Sequence, residues 1–165
     1  MRNRDKVKGL EELHREITRL KEEGKVIVLA NGCFDLIHVG HIRYLKGAKA
    51  LGDVLVVGVN SDRSVKQIKD ENRPLMSQDE RAEIVSAFEC VDYVVVFEQP
   101  TVEELILTLK PHYHAKGTDY TEESVPERGI SARCGTLTRV VGGDPKGHST
   151  SLLIRKIIEK YGASH

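Results

Sequence analysis

The sequence has few cysteines, no long apolar run and no excess of charge of either sign. Its three cysteines, Cys33, Cys90 and Cys134, are far apart and form no CxxC pair, which argues against a disulfide framework or a structural zinc site. No apolar stretch approaches the roughly 20 residues that a membrane helix requires, and residues 1–8 lack the apolar core of a signal peptide. Lysine plus arginine and aspartate plus glutamate number 25 each. We therefore expect a soluble, cytoplasmic protein with neither a nucleic-acid nor a membrane partner.

The residues that are present suit one ordinary globular domain. The chain has 165 residues, of which 39% are apolar and 30% charged, and this is enough to form a real core. Leu10, Leu13, Ile17 and Leu20 recur at spacings of three and four, which predicts an amphipathic helix that Gly24 ends. We expect residues 1–24 to form an N-terminal helix that packs on a single domain of residues 25–165.

Apolar runs and amphipathic helices alternate along the rest of the chain. The runs at 26–30, 54–59 and 93–97 are typical of strands covered on both faces, and 112–115 and 137–141 are shorter candidates. Helices are predicted over 40–51, after the capping boxes opened by Ser77 and Thr101, and from about Ser149. This order predicts an α/β fold, a Rossmann-like, doubly wound, mostly parallel sheet of about five strands with helices on both faces. Residues 121–135 show no clear pattern and are expected to form a mobile flap or a short helix.

The most informative segment is residues 31–41, NGCFDLIHVGH, which joins the first predicted strand to the next helix. Two histidines, His38 and His41, lie three residues apart with Gly40 between them. Exposed backbone N–H groups and the positive end of a helix dipole make such a junction a phosphate site, to which imidazoles add donors that respond to a developing anion. For an isolated HxxH pair, a structural role or a metal site would be the alternatives. Here the preceding strand and the glycine turn favour phosphate binding.

Several motifs in sequence order carry a resemblance to one enzyme family. His38-Val39-Gly40-His41 resembles the HxGH signature of the nucleotidylyltransferase superfamily, which shares its fold with class I aminoacyl-tRNA synthetases. Residues 31–35 resemble its cytidylyltransferase-like branch. The segments VNSD (59–62), NRP (72–74), VDYVV (91–95), KGTDY (116–120) and GHSTS (147–151) are similar to the adenylyltransferase domain of the bacterial heptose-phosphate kinase/adenylyltransferase. The similarity spans about residues 25–158, nearly the whole chain.

The resemblance implies an adenylyltransferase that transfers AMP from ATP to a sugar 1-phosphate, in particular a heptose 1-phosphate. Pyrophosphate would leave, and the ADP-sugar would serve surface-polysaccharide synthesis. The substrates would be small molecules, the cofactor Mg²⁺ or another divalent cation, and a homodimer would be compatible with the family. Two alternatives stay open: a cytidylyltransferase that uses CTP and glycerol 3-phosphate or a similar alcohol phosphate, and a non-catalytic nucleotide-binding module.

The family pattern also implies roles for individual residues. His38 and His41 would bind α- and β-phosphate oxygens, Asp35 would hold Mg²⁺ directly or through water, and Asp119 would contact the base or the ribose. An Asx hydrogen bond that closes the turn is the alternative for Asp35, and turn formation is the alternative for Asp119. The remaining nucleotide-binding candidates are Asn31, Gly32, Cys33, Phe34, Gly40, Arg73, Lys116, Ser149, Thr150 and Ser151.

Some of these candidates compete with structural roles. In residues 149–151 we expect one hydroxyl to cap the last helix while its neighbours bind the β- and γ-phosphates. Lys66, Lys69 and Arg73 form either a solvated charged face or a loop that closes over phosphates. We interpret Arg81 as a structural ion-pair partner. Thr118 stands where the family generally has glycine, and this departure leaves the acceptor and the base open.

Overall fold

The computed structural model describes residues 2–143 and 147–162, in which five strands alternate with helices. The strands are β1 (Ile27–Gly32), β2 (Val54–Asn60), β3 (Tyr93–Phe97), β4 (Tyr113–Lys116) and β5 (Leu137–Val140). The helices are α1 (Asn3–Lys6), α2 (Leu10–Glu22), α3 (Val39–Lys49), α4 (Asp62–Ile68), α5 (Gln78–Ser86), α6 (Glu103–Leu109), α7 (Arg128–Arg133) and α8 (Thr150–Tyr161). In these ranges no helix has both the length and the apolar character needed to cross a bilayer.

All five strands belong to one parallel sheet with the order β3-β2-β1-β4-β5. The predicted doubly wound α/β fold is therefore confirmed, and the sheet is wholly parallel. The chain builds outward from β1 through β2 and β3, and then returns to the other side of β1 with β4. This reversal opens a crevice beyond the carboxyl ends of β1 and β4, where ligands bind in folds of this kind.

Hydrophobic side chains fill both faces of the sheet because successive strand residues point to opposite sides. One face buries Val28, Ala30 and Val57 against α3 and α5. The other buries Ile27 and Leu29 against α2 and α6, and α7 packs beside β5 on the same side. Removing such a side chain completely from water contributes roughly 1.5–3 kcal/mol. Both faces of the central strand are thereby fixed, which gives the loop after β1 a rigid base.

Helix α2 contributes to this core directly. Leu13 and Ile17, two of the apolar residues that predicted it, are fully buried. Gly24 adopts a positive φ of 81° just beyond the helix, as expected of a residue that ends one. The division of the chain at residue 24 stays a prediction.

Several local predictions differ from the structure. Ser77 forms the predicted capping box with Glu80, but the box at Thr101 is absent because α6 begins one residue later, with the buried Val102 at its N-cap. Helix α4 occupies part of a segment in which no helix was predicted, since its residues are mostly polar. Residues 121–135 contain a 3-10 turn (Glu122–Ser124) and α7, so the short-helix alternative is confirmed there.

Candidate active site

The loop that follows β1 turns its backbone toward the crevice. Phe34 has a φ of 52°, a left-handed conformation that is uncommon for a residue with a side chain. Its ring is buried against Gly32, where an added Cβ would lie 3.1 Å from the Phe34 ring. Within the described ranges, the N–H groups of residues 33–37 donate no hydrogen bond to another backbone group. The loop therefore presents free donors directly ahead of helix α3, which suits an anion.

His38 and His41 are oriented by hydrogen bonds from the start of α3. His38 is the N-cap residue, and its Nδ1 accepts from the N–H of Gly40 at 3.1 Å. Nδ1 of His41 accepts from the N–H of His38 at 3.2 Å, and the two ring centroids are 4.0 Å apart. Because Nδ1 of each ring is an acceptor, the neutral form of each carries its proton on Nε2. Both histidines thus hold an Nε2–H donor in the same cleft.

The environment of the two imidazoles favours the neutral state. Burial lowers the pKa of His41 to about 4, and the neighbouring charge of His38 acts in the same direction. Burial and the charge of His148 lower the pKa of His38, against a smaller opposing effect of Asp119. Two adjacent imidazoles in a partly dry site repel a second proton. An arriving phosphate would reverse this balance, because its negative charge favours protonation.

Asp35 ties the loop after β1 to residues 73–76. It is buried, and its carboxylate accepts from Arg73 Nε at 2.8 Å and from the N–H groups of Leu75 and Met76. Burial opposes its ionisation, but these hydrogen bonds outweigh burial and lower the pKa of Asp35. Both carboxylate oxygens are therefore engaged by protein donors. The bonds of Asp35 reach residues 73–76 and are not the Asx hydrogen bond expected for its own turn. With both oxygens engaged, Asp35 suits a structural anchor better than a metal ligand, and it places the Arg73 side chain at the cleft wall.

The start of α8 closes the cleft opposite α3. Ser149 is the N-cap residue, and its hydroxyl accepts from the N–H of Leu152 at 3.1 Å. The Thr150 hydroxyl donates to the carbonyl of Leu36 at 3.1 Å and so ties α8 to the loop after β1. Thr150 and Ser151 line the cleft, whereas Ser149 does not. Ser149 is therefore the hydroxyl that caps the helix, and phosphate binding by its two neighbours stays a prediction.

Two residues of β4 and its loop bring charge to the cleft. Lys116 lies with its ammonium 4.9 Å from the centroid of the Tyr120 ring, and burial lowers its pKa. Asp119 is exposed at the cleft wall. A buried ammonium is costly to keep charged, so an anion beside it would be bound favourably. Lys116 is thus a second cationic group for a phosphorylated ligand.

Asn31 supports the cleft from beneath. Its side-chain Oδ1 is 2.9 Å from Nε2 of the buried His114, and its N–H donates to the Tyr44 hydroxyl at 3.1 Å. That hydroxyl donates in turn to the carbonyl of Ala115 at 2.6 Å. These bonds join β1, β4 and α3 where the sheet order reverses. Asn31 and Gly32 do not line the cleft, so the structure places them in its base.

The cleft has a volume of about 260 Å³ and gathers eleven of the fourteen predicted site residues. They are Cys33, Phe34, Asp35, His38, Gly40, His41, Arg73, Lys116, Asp119, Thr150 and Ser151. Lys69 lines it as well, whereas Lys66 does not. Sequence reasoning assigned no role to Tyr44 or His148, which also line it. His148 lies within the GHSTS motif, so the sequence placed it near the start of the last helix. Nothing in the sequence indicated that it would lie close to His38.

Comparison with known proteins agrees with this geometry. Residues 29–155 match the model of the cytidylyltransferase-like family. The chain is 47% identical to the bifunctional protein HldE of Pelobacter propionicus, over 94% of this chain and 32% of that protein. It is 48% identical to the bifunctional protein HldE of Geobacter metallireducens, over 95% of this chain and 32% of that protein. The chain therefore spans about a third of the length of the curated relatives it matches.

One solved structure extends the comparison to the fold. It is the crystal structure of a lipopolysaccharide core biosynthesis protein from Thermoplasma volcanium GSS1. The two chains superpose with a TM-score of 0.61 and are 27% identical, over 71% of this chain and 94% of the other. At this identity and coverage, the likeness supports a shared fold and homology between the two proteins.

Proposed function

Because the chain belongs to the cytidylyltransferase-like family, we propose that it transfers AMP from ATP to a sugar 1-phosphate, namely a heptose 1-phosphate. Pyrophosphate leaves, and the ADP-sugar enters surface-polysaccharide synthesis. The similarity to HldE proteins over 94% of the chain supports the adenylyl transfer, and the likeness to a lipopolysaccharide core biosynthesis protein supports the lipopolysaccharide setting. The relatives do not favour the CTP-dependent or the non-catalytic alternative.

One observation carries the proposal: two oriented imidazoles and the starts of two helices meet in one cleft. His38 and His41 each keep an Nε2–H free because Nδ1 is already used. Helices α3 and α8 both begin at this cleft, at Val39 and Thr150. Helix N-termini and charge-responsive donors stabilise negative charge that grows in a transition state. Such a cleft suits a triphosphate better than a neutral ligand.

The reaction needs no covalent intermediate on the protein. A phosphate oxygen of the sugar phosphate attacks the α-phosphorus of ATP, a new P–O bond forms, and the bond to the bridging oxygen of pyrophosphate breaks. Catalysis of this type consists mainly of positioning and charge stabilisation. His38 and His41 donate to α- and β-phosphate oxygens, and the free N–H groups near Phe34 hold the α-phosphate. Partial burial raises the pKa of the Cys33 thiol, which agrees with its having no nucleophilic role.

The cationic side chains of the cleft suit the remaining phosphates. Lys69, Arg73 and Lys116 all line the cleft, and each lies close enough to Cys33 for a charge interaction with its thiol. We assign Lys69 and Arg73 to the acceptor phosphate and Lys116 to the nucleotide. Asp119 is assigned to the base or the ribose, and Thr150 and Ser151 to the β- and γ-phosphates.

A divalent cation fits the cleft as a companion of ATP. Among the described residues no group of three or more His, Cys, Asp and Glu side chains could hold a metal ion by itself. Mg²⁺ commonly binds through substrate phosphates and one or two carboxylates. The triphosphate oxygens would hold the cation, since both oxygens of Asp35 are engaged by protein donors. The cation would neutralise triphosphate charge.

The substrate test is a matrix of triphosphates and acceptors. Pyrophosphate release is measured with ATP, CTP, GTP and UTP, each combined with a heptose 1-phosphate, glucose 1-phosphate or glycerol 3-phosphate. We expect release only with ATP and the heptose 1-phosphate, and the double variant His38→Ala/His41→Ala serves as the inactive control. Release only with CTP and glycerol 3-phosphate would reject the adenylyltransferase. Binding of ATP without release in any combination would reject an enzyme altogether. A homodimer and a cytoplasmic location stay predictions.

A further inference from the structure

A third histidine approaches the pair at the start of α3. His148 immediately precedes Ser149, the N-cap of α8, and its side chain lines the same cleft as His38 and His41. A Cβ placed on Gly40 would lie 3.5 Å from the Cβ of His148, so His148 packs across the first turn of α3. The charge of His148 also lowers the pKa of His38. Two independent observations therefore place this third imidazole beside the first two.

The aromatic rings run from the interior of the cleft to its mouth. Phe34 is buried, and its ring centroid is 5.4 Å from that of His41. The His41 ring is followed by His38 at 4.0 Å, and the exposed His148 lies beyond His38. Of the cations that line the cleft, Arg73 is buried and bound to the buried Asp35, whereas His148 adjoins the start of α8, where Thr150 and Ser151 line the cleft. An acceptor held at Arg73 would attack from the inner side, so the leaving group would depart toward His148 at the outer end.

We propose that His148 is a third phosphate-contacting histidine, whose ring donates to the pyrophosphate part of ATP and holds it as it leaves. The inference rests on the proposed nucleotidyl transfer. When the bond between the α-phosphorus and the bridging oxygen breaks, the electron pair stays on that oxygen and the pyrophosphate gains negative charge. An N–H donor at the outer phosphates stabilises this charge without any net proton transfer. His148 is therefore a catalytic residue that acts on the leaving group.

Ligand binding separates this role from a general structural one. Dissociation constants for ATP, AMP and inorganic pyrophosphate, all with Mg²⁺, are measured by calorimetry for the full chain and for His148→Ala. We expect the constants for ATP and pyrophosphate to rise about tenfold, as for one lost hydrogen bond to a charged group, and that for AMP to change less than about twofold. His14→Ala, which removes an exposed histidine on α2, is the matched control and should change none of them.

A second variant tests the donor itself. His148→Gln keeps an N–H donor of similar reach, so it should recover most of the pyrophosphate affinity that His148→Ala loses. Unchanged pyrophosphate affinity in His148→Ala would overturn the inference, as would equal losses for AMP and pyrophosphate. These outcomes differ from a failure of the proposed function, in which the unaltered chain would release no pyrophosphate with any acceptor.

Discussion

The buried guanidinium of Arg81 donates from Nη1 to the carbonyl oxygen of Cys33 at 2.6 Å. The same nitrogen donates to the carbonyl of Asn60 at 2.7 Å, and Nε donates to the carbonyl of Met76. A trans peptide is planar, and its C=O and N–H point in opposite directions. By fixing the Cys33 carbonyl, Arg81 therefore turns the N–H of Phe34 away from itself, and this donor becomes available to the α-phosphate.

Replacing Arg81 should affect stability and ligand binding together. Arg81→Lys keeps the charge but not the planar fork, so buried carbonyl groups lose their donors. Each unsatisfied buried group costs about 1–3 kcal/mol, and we expect the free energy of unfolding in urea to fall by about 3 kcal/mol or more. ATP affinity should also fall, because the Phe34 peptide is no longer held. Arg15→Lys, at an exposed ion pair with Glu11, should leave both quantities unchanged. If Arg81→Lys kept the stability and the ATP affinity of the parent, Arg81 would not hold the Phe34 peptide for the α-phosphate.

The architecture could be predicted because its signals are local. Continuous apolar runs marked β1, β2 and β3, and the helix starts at Ser77 and Ser149 carried caps that the structure contains. Helix α4 has a cap as well, Ser61, but it lacks an apolar face, since Ser64 and Val65 are its only buried residues among those described. Thr101 failed as a cap because burial of Val102 in the core decided where α6 begins. Tertiary packing prevailed over a local preference there.

The site was predictable where one segment contained it and not where distant segments meet. The residues 33–41 and 150–151 came from contiguous motifs. The structural interpretation of Arg81 agrees with its ion pair to Asp62, but its bond to Cys33 joins residues 48 apart in sequence. Likewise, Tyr44 reaches Ala115 across α3 and β4. Such pairs depend on the docking of whole elements, which a single sequence does not specify.

His41 offers a direct test of the phosphate-binding imidazoles. Because Nδ1 of His41 also accepts from the His38 N–H, His41→Ala removes a cap as well as a donor. His41→Asn separates the two effects, since the asparagine Oδ1 takes the place of Nδ1 while nothing replaces Nε2–H. We expect both variants to lower turnover by about a hundredfold or more, with His41→Asn keeping the parent's melting temperature. Near-normal pyrophosphate release by His41→Asn would show that His41 only caps the start of α3 and does not act on the phosphates.

Acid should destabilise the fold through two histidines, the buried His114 and the partly buried His41. Burial, assisted by the charge of Lys116, lowers the pKa of His114 to about 3, and burial lowers that of His41 to about 4. In the unfolded chain both pKa values return to about 6.5, so between these limits the unfolded state binds more protons. Stability is thus fully present above about pH 6.5 and declines as the pH falls, by up to about 1.4 kcal/mol per pH unit for each histidine.

The variant His114→Gln isolates one of these contributions. Its amide can still donate to Oδ1 of Asn31, but it takes up no proton on unfolding. The free energy of unfolding, measured by urea titration between about pH 7 and about pH 4.5, should depend less steeply on pH in the variant than in the parent. The difference in slope should correspond to about one proton. Equal slopes in the two proteins would show that His114 takes up its proton over the same pH range in the folded and the unfolded states.

Asp35 can be tested for its two alternative roles. Its carboxylate holds Arg73 and two backbone N–H groups, so Asp35→Asn should lower the free energy of unfolding by about 2 kcal/mol whether or not Mg²⁺ is added. Asp119→Asn should leave stability unchanged and weaken the binding of ATP in the presence of Mg²⁺. If Mg²⁺ alone stabilised the parent and this gain disappeared in Asp35→Asn, the metal-binding role would hold instead.

Gly40 separates catalytic geometry from folding most cleanly. An alanine Cβ at this position would lie 2.8 Å from Cε1 and 2.9 Å from Nδ1 of the His38 ring, closer than side-chain atoms approach, so the ring must move. Gly40 lies within α3 and has no positive φ, and alanine there favours the helix by up to about 1 kcal/mol. We expect Gly40→Ala to change the free energy of unfolding by less than about 1 kcal/mol while turnover falls by about tenfold or more. Gly129→Ala on α7, where an added Cβ meets no atom within 4 Å, should retain full activity. Parent-like turnover in Gly40→Ala would mean that the position of the His38 ring does not limit the reaction.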